Sequence, residues 1–307
     1  MNRAEFIHIS DIHYQNEYSP ISGRLISKTG VTFIEQFLQG MAYIQNRFRN
    51  IDFFLVSGDL VHEGGAEEYR ELKEMWADIC DLPVYTVPGN HDRDSYGHGF
   101  LETSDAPPFD SEYIHPKSGL RILALDSRGG QYESGFLSSE QLSWLKERLS
   151  RNNGRGNGRN CELDRTRGHD RAADYSCECA DNRNRDTILL LHHTPHVSGE
   201  IEFLTYQMEN PQELYEVVKD SNILAIFCGH THRHFLSTLG NIPCYTVNSI
   251  THEIHSDIDS MTLSNKTGFN HCIYEEGILT VQHICVPQEA PAEITMDYTE
   301  FEENAIC

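Results

Sequence analysis

Residues 227–234 read FCGHTHRH, and they follow the apolar run Ile223-Leu224-Ala225-Ile226. A run of that length has the look of a buried strand. It stops at Gly229, and His230 and His232 follow with one residue between them. On an extended segment, side chains at i and i+2 point the same way. The reading is therefore of two imidazoles presented together at the end of a buried strand.

The same arrangement recurs along the chain. The strand pattern from Glu5 to Ser10 ends in Asp11-Ile12-His13, and the run Asp52 to Val56 is followed by Gly58-Asp59. The run Pro83 to Val87 leads into Pro88-Gly89-Asn90-His91-Asp92, and Ile188 to Leu191 leads into His192-His193-Thr194-Pro195. Helical spacing separates these strands, with Phe33, Phe37, Met41, Ile44 and Phe48 on one face of 31–49, and further helical patterns at 67–79, 138–149 and 211–219. Leu120 to Leu125 reads as another strand, and 243–247 and 272–284 read as purely β, the latter as a hairpin. Repeated strand–helix–strand units imply helices flanking a sheet. In an open α/β sheet, ligands bind beyond the carboxyl ends of the strands. Any one of these groups is ordinary turn chemistry. Together they bring Asp, His, Asp, Asn and three further His to one rim, a mixed oxygen and nitrogen donor set that suits Zn, Mn, Fe or Co.

Composition narrows the classes. The 307 residues carry 24 Lys plus Arg against 47 Asp plus Glu, a formal charge of −23. Non-specific nucleic-acid binding relies on Lys and Arg neutralising phosphates, so extended nucleic acid is not an expected partner. The nine cysteines form no framework, and the stretch MNRAEFIHISDIHY enters a strand pattern directly, with no apolar run of membrane or signal length. A cytoplasmic protein with no membrane partner is expected. Residues 151–186 are rich in Arg, Asn, Gly and Asp and nearly free of apolar side chains. They read as a polar, disordered insert, within which Cys161, His169, Cys177 and Cys179 offer a small zinc site of no standard spacing. The expected domain covers 1–286, with an acidic tail or edge segment at 287–307. The oligomeric state stays open, because the C-terminal β segment could pair across a homodimer or be capped by its own tail.

The order Asp11-x-His13, Gly58-Asp59, Gly89-Asn90-His91-Asp92, His192-His193-x-Pro195, Gly229-His230-x-His232 resembles the calcineurin-like metallophosphoesterase superfamily. Within it, the His-His-x-Pro form is most similar to class III cyclic-nucleotide phosphodiesterases and glycerophosphodiesterases. The resemblance implies an α/β fold, a four-layer α-β-β-α sandwich with a dinuclear site at the strand C-terminal ends. It assigns Asp11, His13, Asp59 and His232 to one metal. Asp59, Asn90, His192 and His230 fall to the other, with Asp59 as bridge and His193 beneath the site or against substrate. His91 is placed over the substrate phosphate as a transition-state or proton donor. Asp92 then has two readings, a partner that sets the His91 tautomer or a helix N-cap. Two metals about 3.5–4 Å apart clamp a phosphate ester and activate water for in-line attack.

The implied function is a phosphodiester hydrolase acting on a small substrate of cyclic-nucleotide or glycerophosphodiester type. A phosphomonoesterase or nucleotide pyrophosphatase on the same site is the alternative, and an inactive interaction scaffold is a remote one. The Asp-Arg-Gly of protein Ser/Thr phosphatases is absent after Gly58-Asp59. Tyr14, Asn16 and Arg24 follow the first motif and read either as substrate contacts or as a solvated loop. By analogy with the subfamily, His252 and His255 line the substrate cleft.

Overall fold

The computed structural model describes residues 2–92, 110–131, 133–150, 185–195, 207–257 and 259–299. Its first strand, β1 (Arg3–Ile9), is buried from Ala4 onward, as a strand covered on both faces must be. It runs parallel to β2 (Phe53–Val56), which runs parallel to β3 (Val84–Thr86). On its other side it pairs antiparallel with β12 (Thr267–Glu275), which is joined in a hairpin to β13 (Ile278–Val286). The hairpin turns through Glu276 and Gly277, with φ of 49° and 87°. Two positive φ values in a row match the twist of the flanking strands.

A second sheet has six strands in the order β4-β5-β6-β7-β9-β8. These are β4 (Ser111–Ile114), β5 (Arg121–Ala124), β6 (Thr187–Leu190), β7 (Ile223–Cys228), β8 (Phe235–Leu239) and β9 (Ile242–Thr246). Strands β5, β6, β7 and β9 are parallel, and the two edges are antiparallel. The sheets pack face to face. Phe6, Phe53 and Leu55 from the first meet Ile122, Ile188 and Phe227 from the second in one fully buried cluster. Phe6 stacks on Phe53 at 4.7 Å and meets Phe227 edge-on at 5.8 Å.

Helices cover both outer faces. Against the first sheet lie α2 (Phe33–Arg47) and α3 (Ala66–Ile79), through Phe37, Met41, Leu72 and Trp76 on Ile7, Ile9 and Phe54. A capping box between Thr32 and Glu35 starts α2 and satisfies backbone N–H groups that the first turn leaves open. Against the second sheet lie α4 (Ser139–Ser150) and α5 (Pro211–Val218), with Leu145, Leu149, Leu214 and Val218 on Leu189 and Ile226. The layering is the expected α-β-β-α sandwich. Among the described residues, no helix is long and apolar enough to cross a membrane.

Other parts differ from the expectation. Residues 20–29, to which the sequence assigns no element and whose Arg24 reads as a substrate contact or part of a solvated loop, form α1 (Pro20–Thr29), which is N-capped by Ser19. Its sequence holds a glycine and only two buried apolar residues, Ile21 and Leu25, so periodicity does not announce it. It is held by tertiary contact with Leu263 and Met296. Those two belong to a small third sheet of β10 (Glu253–Ser256), β11 (Ser260–Ser264) and β14 (Glu293–Asp297). Residues 293–297, in the stretch read as tail or edge segment, therefore form an edge strand that caps β11 and leaves the β13 edge unpaired within the described residues. Most of the polar insert, with Cys161, His169, Cys177 and Cys179, lies outside the described residues, as do 300–307.

The inter-sheet cluster sets the stability. Phe6→Ala should cost about 3–5 kcal/mol by urea denaturation. Leu236→Ala, on a side chain 57% exposed, should stay within about 0.5 kcal/mol of the parent.

Candidate metal centre

The loops after β1, β2, β3, β6 and β7 meet at one rim, and most of the motif residues on them are buried. Asp11, His13, Asp59, His230 and His232 all have positive φ, between 47° and 72°. Left-handed backbone costs a non-glycine residue about 1–2 kcal/mol. Here it turns the chain sharply after each strand. The extended alternation expected for His230 and His232 is therefore corrected: both are left-handed, and the Thr231 N–H donates back to the Gly229 carbonyl at 2.9 Å. The two imidazoles separate into neighbouring groups.

One group is Asp11, His13, Asp59 and His232, all buried, and the other is His192, His193 and His230. Within each, the donor atoms lie within 4.8 Å of one another. Asp59 Oδ2 stands between the groups, 3.4 Å from His13 Nε2 and 3.2 Å from His192 Nε2. Asn90 Oδ1 is 3.0 Å from His192 Nε2. The six other residues assigned to metals thus gather around Asp59. His193 joins them, its ring 4.6 Å from that of His230. The backbone N–H of His91 donates to Asp59 Oδ1 at 2.9 Å, and its ring stands at the half-exposed edge of the site. A third group of donors, His13, His62 and His91, includes a histidine to which the sequence reading gave no role.

Asp92 is corrected. Its carboxylate accepts from the N–H groups of Gly89 (2.8 Å), Leu60 (3.1 Å) and Val61 (3.2 Å) and from Tyr69 Oη (2.6 Å). These donors occupy it, so it ties the β3 loop to the β2 loop and does not orient the His91 ring. Glu63 Oε1, at 3.9 Å, is the carboxylate beside His91 Nδ1. Tyr14 and Asn16 bind Glu71 of α3 at 3.2 and 2.9 Å, and Arg24 lies on α1 beside a groove with Ile294. His252 is buried behind His232 and stacks on Phe33 at 4.3 Å. It backs a donor rather than lining a cleft, and His255 is exposed on β10.

Residues 4–234 match the family described as calcineurin-like phosphoesterase. The chain belongs to that family. This phosphoesterase is 25% identical over 243 residues to "Probable cyclic nucleotide phosphodiesterase" of Rhodococcus erythropolis, covering 77% of this chain and 70% of that one. It is 22% identical over 252 residues to "Glycerophosphodiester phosphodiesterase GpdQ" of Enterobacter lignolyticus, covering 80% and 77%. The fold matches a purple acid phosphatase from yellow lupin with a TM-score of 0.59 at 12% identity. That match covers 96% of this chain and 54% of the lupin chain.

The donor chemistry of the phosphoesterase rim fits cations. His192 Nδ1 faces the Ser57 carbonyl at 2.6 Å and His232 Nδ1 faces the His252 carbonyl at 3.2 Å. A carbonyl only accepts, so each Nδ1 carries the proton and each Nε2 presents a lone pair when the ring is neutral. This is the usual support of a metal-ligating histidine. The His13 and His232 Nε2 atoms then stand 2.9 Å apart, beside two carboxylates. Burial is the main reason that His13, His230 and His193 titrate well below the usual histidine value, and His232 is pushed down to about 3. Neutral imidazole is the ligating form. Burial opposes ionisation of Asp59, but the His192 and His91 imidazoles outweigh it and hold its pKa well below the usual carboxylate value. Burial alone would lower His192, yet Asp59 pushes it up to about 9. In the metal-free protein a proton therefore sits on His192, against Asp59.

A Cβ added at Gly229 would collide with Ser10 Oγ and Asp11 Oδ2. Gly229→Ala should therefore lose bound metal by elemental analysis while circular dichroism stays near the parent spectrum. Metal uptake must also expel the His192 proton. Below about pH 9, affinity should fall with acidification, by ~tenfold per pH unit for one proton. Calorimetry in buffers of differing ionisation enthalpy reads that release, and no proton release at pH 8 would contradict it.

Proposed function

We propose that the rim holds two transition-metal ions and hydrolyses a small phosphodiester of the cyclic-nucleotide or glycerophosphodiester class. The observation that carries this reading is the position of Asp59 Oδ2, within 3.4 Å of one donor group and 3.2 Å of the other. A carboxylate so placed is suited to bridge. Asp11, His13 and His232 complete one ligand set, and Asn90, His192 and His230 the other. The donors leave Mn, Fe, Zn and Co open.

Paired metals of this kind polarise phosphate oxygens, acidify water and clamp an in-line displacement. The rest is done by the chain. His91 is fixed through its backbone to Asp59 Oδ1, and its ring reaches the open side of the rim. There it donates an N–H to a phosphate oxygen or a proton to the departing alkoxide. Asp92 keeps His91 in place indirectly, by clamping the loop that carries it. Arg128 reaches the Asp92 carbonyl and is held by Asp126, Nη2 to Oδ2 at 2.7 Å. With that guanidinium neutralised and a chain charge of −23, a singly charged diester is favoured over a doubly charged monoester. The names of the relatives support the diester class. The same net charge disfavours extended nucleic acid as substrate.

The test compares bis(p-nitrophenyl) phosphate with p-nitrophenyl phosphate on metal-stripped protein resupplied with Mn²⁺. Diester hydrolysis should exceed monoester hydrolysis, and a monoester preference would move the reading to a phosphatase. Asp59→Asn should abolish turnover. His91→Ala should lower kcat by about 100-fold or more while both metals stay bound. Loss of a metal in that variant would place His91 among the ligands.

A further inference from the structure

The pairing of β1 with β2 does not end with the strands. The His13 N–H donates to the Asp59 carbonyl at 2.9 Å, the Tyr14 N–H to Leu60 at 3.0 Å, and the His62 N–H back to Tyr14 at 2.9 Å. This register sets His62 beside His13. Their Nδ1 atoms are 3.0 Å apart, a hydrogen-bond distance. The ring of His62 also lies over His91, with centroids 4.7 Å apart and planes 22° apart, and His91 meets His13 edge-on at 4.9 Å. One side chain therefore touches both a proposed ligand and the proposed substrate-facing histidine.

Two other histidines of the assigned ligand sets, His192 and His232, give Nδ1–H to backbone carbonyls. His13 has an imidazole in that place. Two ring nitrogens at 3.0 Å are stable only with one proton between them. If His13 donates it, His13 Nε2 is left as a lone pair facing Asp59, Asp11 and His232.

We infer that His62 is a positioning residue of the centre. It accepts the His13 Nδ1–H, so that His13 is held in the ligating tautomer, and its ring backs His91 toward the substrate. The inference rests on the two-metal reading above. It separates two contributions of one side chain, an acceptor nitrogen and a flat ring, and two substitutions divide them. His62→Phe keeps a ring and removes the acceptor. His62→Gln keeps an acceptor and removes the ring.

The experiment uses the full chain, stripped of metal. Mn²⁺ affinity is titrated by calorimetry, and kcat and KM for bis(p-nitrophenyl) phosphate are taken at saturating Mn²⁺. His62→Phe should weaken Mn²⁺ at one of the two sites by about 10–100-fold. His62→Gln should keep the parent Mn²⁺ affinities and lower kcat by about tenfold or more, with KM little changed. Parent-like affinity and kcat in both variants would overturn the inference. Equal loss of affinity in both would also overturn it, because packing and not the acceptor would then be what matters. Three Mn²⁺ per parent chain falling to two in His62→Phe would overturn it too, by making His62 a ligand. Those outcomes leave the two-metal reading standing. A parent protein that binds fewer than two Mn²⁺, or cleaves no phosphate ester, sinks both.

Discussion

Electron-rich atoms are forced together around Asp59, and the rest of the molecule is arranged to hold them there. Asp59 Oδ2, Asn90 Oδ1 and the Nε2 atoms of His13, His192 and His232 converge within a buried rim. Gathering acceptors away from water is unfavourable unless a proton or a cation lies between them. In the free protein the His192 proton serves that purpose in part. A bound cation serves it better, so occupancy of the rim and stability of the loops are linked.

The loops resist this repulsion with few but specific devices. Asp92 is buried and takes hydrogen bonds from three backbone N–H groups and Tyr69, joining loops about thirty residues apart in the chain. Ser249 Oγ and Thr251 Oγ1 donate to the Asp11 carbonyl at 2.8 and 3.2 Å, and both oxygens of the Asp11 carboxylate accept from the His230 N–H. Gly89 approaches Asp59 and His192 so closely that a methyl group has no room. Below the rim the two sheets are locked by the Phe6, Phe53 and Phe227 rings. The left-handed backbone at five donor-bearing positions is strain that this rigid base sustains.

Much of this was legible in the sequence for a simple reason. A parallel sheet buried on both faces must be written as apolar runs, and a centre at its rim must place Asp and His directly after them. Phe53 to Val56 followed by Asp59, and Ile223 to Cys228 followed by His230, carry that signal in a few residues. What the sequence concealed depends on contacts between distant segments. The partners of Asp92 are set by where the Leu60 backbone arrives. Helix α1 has a weak local pattern and forms because Leu263 and Met296 cover it. Strand β14 is acidic and short, and pairing with β11 defines it. The contact of His62 with His13 was the nearest to being readable, since both follow paired strands, but it needed the register that continues past the strand ends. The separation of His230 from His232 rests on backbone angles that spacing alone does not carry.

The most direct measurement is anomalous diffraction at the manganese edge from crystals grown with Mn²⁺. The account predicts two peaks per chain about 3.5–4 Å apart, both in contact with the Asp59 carboxylate, one also beside Asp11, His13 and His232 and the other beside Asn90, His192 and His230. A single peak, or two peaks of which only one touches Asp59, would contradict it.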